Sequence, residues 1–155
     1  MTVVAASTER PRVVRYSTSA VQSGPVPAGP LTLSIEYDRP LGSAPRASVD
    51  QPGTNDLPPS PMSGSGRTWS LVYTVPPDNR SFNLDGTNRF SVTGGADSLG
   101  LGAEDYTTAA AFVTDTIPPT VRFSYPTEGA VVSGVLLVTG TVSDSSGGGR
   151  VLLCW

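Results

Sequence analysis

Leu31-Thr32-Leu33-Ser34-Ile35-Glu36-Tyr37 alternates without a break, with large apolar side chains at the odd positions and polar ones at the even positions. Successive side chains of a strand point to opposite faces, so this stretch reads as a half-buried β-strand, greasy on one side and wet on the other. The same period recurs outward from it. Trp69, Leu71, Tyr73 and Val75 alternate with Thr68, Ser70 and Thr74, and Phe90 and Val92 alternate with Arg89, Ser91 and Thr93. Val14 and Tyr16 alternate less decisively with Val13 and Arg15. Helices have little room, because 17 glycines and 15 prolines are spread through 155 residues and a helix interior tolerates either poorly. The pattern predicts an all-β chain built as an antiparallel β-sandwich.

Punctuation sets the expected limits. Gly24 to Pro30 must turn the chain. Asp85-Gly86 is a turn signal before the Phe90 strand, and Gly94-Gly95 closes that strand. Gly42 to Gly66 is polar and rich in Pro, Gly and Ser; one short strand is expected at Ala47 to Asp50 and mobile loop elsewhere. A boundary falls at Asp115-Thr116-Ile117-Pro118-Pro119-Thr120, where two prolines stiffen the backbone and remove two donors. The β pattern then restarts with a strand at Val121 to Tyr125 and a second along Leu136, Val138, Gly140 and Val142. A turn over Asp144 to Gly149 and a third strand from Arg150 to Trp155 follow. The expected organisation is a flexible leader over 1–10, a complete sandwich over 11–116 and the truncated start of a second sandwich over 117–155. That second part lacks an opposing sheet, so it is expected to be poorly ordered alone, to pack on the first part or to self-associate.

The N-terminus has no basic region followed by an apolar core, and no apolar run reaches membrane-span length. Val151-Leu152-Leu153-Cys154-Trp155 stops inside an apolar strand-like run. The expectation is a piece of a longer exported protein.

Composition narrows the chemistry. Histidine is absent, which removes histidine triads, histidine bases and most zinc sites. All ten basic residues are arginine, so no Ser-Lys dyad can form. Cys154 is the single cysteine; it has no partner for an internal disulfide and reads as a buried apolar residue. A net charge of −3 argues against nucleic acid as a partner. Gly64-Ser65-Gly66 lacks the strand–turn–helix setting of a nucleophile elbow, and Gly147-Gly148-Gly149 lacks the Lys-Ser/Thr of a phosphate loop. Asn79-Arg80-Ser81 fits a glycosylation sequon that a bacterial source would make incidental. Trp69 and Tyr73 would make a sugar platform only if they faced outward; sharing a face with Leu71 and Val75, they read as core, as does Trp155. Asp85, Asp97, Asp115 and Asp144 lie in turns or at the boundary. Calcium ligation competes there with capping of the local backbone. No catalytic, cofactor or metal residue is assigned, and an enzyme is not expected.

Several stretches resemble one known family. Leu31 to Leu41, Thr68-Trp69-Ser70-Leu71-Val72-Tyr73-Thr74-Val75 and Asp85-Gly86-Thr87 followed by Phe90-Ser91-Val92 are similar to strand motifs of bacterial immunoglobulin-like tandem repeats. Ala96-Asp97-Ser98-Leu99-Gly100 resembles their turn, and Phe112 to Val121 their linker. Tyr125 to Gly134 and Val138 to Asp144 resemble the opening of a further repeat. Arg39 and Leu101 depart from the family pattern where oxygen ligands are usual. The resemblance implies an immunoglobulin-like fold and a structural or adhesive repeat module, with neighbouring repeats and a host or surface ligand as partners, on a bacterial surface or in a secreted protein. The alternative function is a carbohydrate-binding accessory domain of a secreted enzyme.

Overall fold

A computed structural model describes residues 8–20, 24–53, 56–77 and 84–144. Among these there is no helix, and the chain divides into two compact units at Thr116/Ile117.

Among the described residues unit 1 holds eight strands: β1 (Val13–Thr18), β2 (Gly29–Leu41), β3 (Ser43–Asp50), β4 (Leu57–Pro61), β5 (Ser63–Val75), β6 (Gly86–Ala96), β7 (Tyr106–Thr107) and β8 (Phe112–Thr114). One sheet has the order β1-β2-β5; the other has the order β4-β3-β6-β7, with β8 also on β6. All strand pairs are antiparallel and neither sheet closes into a barrel. The result is the predicted β-sandwich.

β2 is the middle strand of its sheet. Leu31, Leu33, Ile35 and Tyr37 are all buried, and Thr32, Ser34 and Glu36 lie partly exposed on the other face. Trp69, Tyr73 and Val75 of β5 join the same core, with Leu71 packed at its margin. Ala47 and Val49 of β3, Phe90 and Val92 of β6 and Phe112 of β8 close it from the opposite sheet. Tyr16 of β1 reaches across to Phe90, with ring centroids 5.3 Å apart.

Four expectations are corrected. The Gly42–Gly66 stretch is mostly strand, well beyond the expected Ala47–Asp50: β3 starts at Ser43, and β4 and the first part of β5 follow. Proline was the misleading signal: Pro58, Pro59 and Pro61 sit on an edge strand, which needs one row of donors, and the ladder to β3 is irregular between Ser60 and Leu57, where the adjacent Pro58 and Pro59 lie. Gly94-Gly95 does not end β6, which runs to Ala96 opposite Ser43. Gly95 sits at φ +76°, and an added Cβ would meet Leu41 Cδ1 at 2.9 Å, so the pair lets the strand bend under Leu41. Gly86 belongs to β6 rather than to a turn before it: it opens the strand opposite Thr114. Gly29 and Pro30 belong to β2 rather than to a turn. Thr32 N–H and C=O both face Ser19 of the incoming segment, so the donor that Pro30 lacks falls on that same side, beyond the end of β1.

Of the expected leader over 1–10, residues 8–10 are described. Arg10 donates to Gly102 O at 2.9 Å and to Ala103 O at 2.6 Å, and Arg39 donates to Glu9 O at 2.8 Å. Residues 1–7 lie outside the described residues.

Unit 2 shows β9 (Thr120–Tyr125) antiparallel to β10 (Thr139–Ser143). β10 begins at Thr139, so Leu136 and Val138 precede the strand, contrary to expectation. The expected turn over Asp144–Gly149 reaches the described residues only at Asp144, and the strand Arg150–Trp155, with Cys154 and Trp155, lies outside them. Both strands are exposed, and Phe123 and Tyr125 are more than half exposed.

The burial on β2 fixes a magnitude. Leu33→Ala deletes a fully buried side chain at the centre of the sandwich and is expected to lower unfolding stability by about 2–5 kcal/mol. Val72→Ala, on the exposed side of β5, should change it by less than about 0.5 kcal/mol; urea titration of the two variants reads the contrast.

Candidate functional site

The strand registers place the two ends of unit 1 at opposite poles. The incoming chain meets the Leu41 end of β2, where Asp38 N–H donates to Arg12 O at 3.0 Å and Arg12 N–H donates to the Asp38 carboxylate at 3.1 Å. β8 runs the other way along β6 and leaves past Gly86, beside Val26 and the Gly29 end of β2. From Asp38 to Gly29 the ladder is roughly 30 Å long at about 3.3 Å per residue.

At the incoming pole, Asp38 ion-pairs with Arg12 at 3.6 Å and with Arg39 at 3.3 Å, and Arg39 also reaches Glu9 at 3.4 Å. Desolvation opposes ionisation of Asp38, but the Arg12 amide and the Arg39 guanidinium together hold its carboxyl below the usual value. The Arg12 and Glu9 partners are exposed to solvent and the Asp38–Arg39 pair is partly buried, so the outer pairs are of small individual worth. A polar cleft of about 400 Å³ opens between Arg10, Arg12, Asp38 and Glu104. Asp97 lies at this pole as well. Its Oδ1 accepts from Leu99 N–H and Leu101 N–H, both at 2.9 Å, and its own N–H donates to Leu101 O at 3.0 Å. That is the backbone-capping use of an aspartate. Leu101 supplies the main-chain groups that close the turn.

At the outgoing pole a polar cluster is buried beneath the core. Asn88 and Thr114 are both almost fully buried. Asn88 Nδ2 donates to Thr114 Oγ1 at 3.2 Å and to Gly86 O at 3.1 Å, and Thr114 Oγ1 donates to Leu84 O at 2.9 Å. Asp85 Oδ1 accepts both the Thr116 N–H at 2.8 Å and the Thr116 hydroxyl at 2.9 Å. Asp115 N–H donates to Val26 O at 3.1 Å, and Val26 N–H donates to Val113 O at 2.7 Å. Gln51 is buried nearby and accepts from the Tyr73 hydroxyl, while its main-chain N–H donates to Asp56 at 3.0 Å.

The four candidate aspartates are therefore not gathered into one site. Asp97 caps a turn at one pole, Asp85 and Asp115 stand at the other, and Asp144 follows β10 in unit 2. Among the described residues no group of three or more Asp, Glu, Cys or His side chains is placed to hold a metal ion. Trp69 and Tyr73 are buried; the indole N–H of Trp69 donates to Gly66 O at 3.1 Å. Gly64-Ser65-Gly66 lies inside β5, where Gly64 passes close to Thr68 O. Asn79-Arg80-Ser81 and Gly147-Gly148-Gly149 lie outside the described residues. A groove of about 320 Å³ separates Tyr16–Thr18 from Ala111–Val113, and its only ionisable lining group is the Tyr16 phenol, which burial first and Tyr106 second push up.

Sequence reasoning missed Asn88, Thr114 and Thr116. A signal existed for the first two: Asn88 occupies the inward register of Phe90 and Val92, and Thr114 that of Phe112. A polar residue on a greasy face needs a buried partner.

No protein-family model, no curated protein and no solved structure matches the chain. Among the described residues no helix is long and apolar enough to cross a membrane.

Two outcomes follow from the buried polar groups. Thr114→Val removes the hydroxyl that Leu84 O and Asn88 Nδ2 share and is expected to cost about 1–3 kcal/mol in a urea titration. Tyr37 carries a buried hydroxyl with no hydrogen-bond partner among the described residues, and burial first and the charge of Asp105 second push its phenol up from 10.0 to about 12. A raised folded-state value means that this contribution is intact below pH 10 and fades as the pH climbs through about 12. Tyr37→Phe should leave neutral-pH stability unchanged or higher and should flatten the loss between pH 10 and 12, read by alkaline denaturation.

Proposed function

We propose that this chain is a non-catalytic, immunoglobulin-like repeat module of a bacterial surface or secreted protein, acting as a structural spacer or adhesive segment. The observation that carries the reading is the polar arrangement of the chain: it arrives at the Leu41 end of β2 and departs at the Gly29 end. A unit traversed from pole to pole adds its length to whatever is joined on either side. A three-stranded sheet facing a sheet built on β3 and β6 supports the immunoglobulin-like assignment, as do the motif resemblances along both units. Pro118-Pro119 after the outgoing pole supports a semi-rigid junction, because consecutive prolines favour extended backbone. Neighbouring repeats are the partners this reading implies, and an extracellular or surface location goes with it.

The carbohydrate-binding alternative needs aromatic rings facing solvent. Trp69 and Tyr73 are buried; among the described residues Phe123 and Tyr125 of β9 are the rings more than half exposed, and such a reading would have to use them.

Head-to-tail fusions of two and three copies of the whole chain, measured by small-angle scattering, test the spacer. The maximum dimension should grow by a constant increment per copy; growth only as the cube root of mass would reject it. In a glycan array the chain should bind nothing, whereas binding abolished by Phe123→Ser or Tyr125→Ser would install the alternative.

A further inference from the structure

If unit 1 is a spacer, tension on the chain reaches it through its two end strands. β1 is joined to the incoming chain and β8 to the outgoing one. Each would be drawn along its own axis, with its ladder bonds lying across the pull, so the bonds of a strand have to fail together rather than one by one. The two strands are unequal. β1 is held to β2 by a register running from Val13 to Thr18, whereas β8 has only Phe112, Val113 and Thr114 paired to Asn88, Thr87 and Gly86. By ladder length alone β8 is the place where the unit would open.

The side chains around β8 are arranged against that. Its second edge is occupied by Val26 in a parallel bridge to Thr114, so β8 is gripped from both sides. Thr114, the last residue of the strand, is tied through its hydroxyl to Leu84 O and to Asn88, in a place from which water is excluded. Two residues further on, Asp85 receives both the main-chain N–H and the hydroxyl of Thr116. Hydrogen bonds to a carboxylate are stronger than neutral ones. Asp85 and Asn88 belong to the chain leading into and along β6, whose other edge pairs with β3 from Ser43 to Asp50. The fastening therefore passes load from a three-residue strand to the middle of the larger sheet.

We propose that Asp85–Thr116, backed by Asn88–Thr114, is a mechanical clamp that keeps β8 from being drawn out of unit 1 when tension acts through the chain beyond Thr116. This rests on the spacer reading for its purpose, but not for its physics. Loss of the clamp removes two bonds to a charged group from the first place that tension reaches.

Optical-tweezer pulling of the full chain through handles at its two ends tests it. Asp85→Ala is expected to raise the unit 1 unfolding rate at a fixed force by roughly 10–100-fold relative to the parent chain. Thr116→Val, which keeps the main-chain donor, should give a smaller rise in the same direction and serves if Asp85→Ala does not fold. A second geometry separates a clamp from general destabilisation. With one handle at the N-terminus and the other at Ser98→Cys, in a Cys154→Ser background, both attachment points flank the incoming pole and β8 is bypassed. There the Asp85→Ala effect should shrink to less than about a third of its end-to-end value. Equal rupture forces for parent and variants in the end-to-end geometry, or an equal loss in both geometries, would overturn the clamp. Because the fusion scattering reads length and not force, the spacer reading can stand while the clamp falls, and the reverse.

Discussion

The burial of Leu31, Leu33, Ile35 and Tyr37 on one face of β2 is the constraint from which the rest of unit 1 follows. β2 is paired on both edges, so its register dictates where β1 and β5 lie. A slip of one residue would exchange this greasy row for Thr32, Ser34 and Glu36 and empty the core. The opposing sheet then has one surface to cover, and β3 and β6 cover it with Ala47, Val49, Phe90 and Val92. Even the prolines of β2 respect the arrangement: Pro30 and Pro40 are spaced evenly with Thr32 and Asp38, whose backbone faces the β1 side, and both fall where β1 does not reach.

What was legible in the sequence was what period-two alternation can encode. The inward faces of β2, β5 and β6 could be read residue by residue, and the burial of Trp69 and Tyr73 followed from the company they keep. What was illegible depended on partners distant in the chain. β4 looks like loop because proline is a poor strand former in general, and only its place at a sheet edge makes it acceptable. Gly94-Gly95 looks like a terminator until Leu41 is seen lying over it. The outgoing pole joins Asp85 to Thr116 across 31 residues and Asn88 to Thr114 across 26. No local pattern announces such pairings; only the polar intrusion into an apolar row hints that one exists.

The two poles solve the problem of a chain passing through by different means. The incoming one is wetter: Arg12 and Glu9 exposed to solvent around a partly buried Asp38–Arg39 pair, and an aspartate-capped turn. Interactions of that kind are weakened by salt and tolerate exchange. The outgoing one is dry, with Asn88 and Thr114 almost fully buried. Buried polar networks of this sort depend on every member, so a single loss is felt by its neighbours. Substitutions should accordingly be absorbed more readily around Arg12 than around Asn88.

The prolines of β4 carry one more implication. Three of its five residues, Pro58, Pro59 and Pro61, have no amide hydrogen. An edge so short of donors is a poor template for a strand from another molecule. Were many copies crowded side by side, this flank would let neighbours slide past one another without zipping into fibrils.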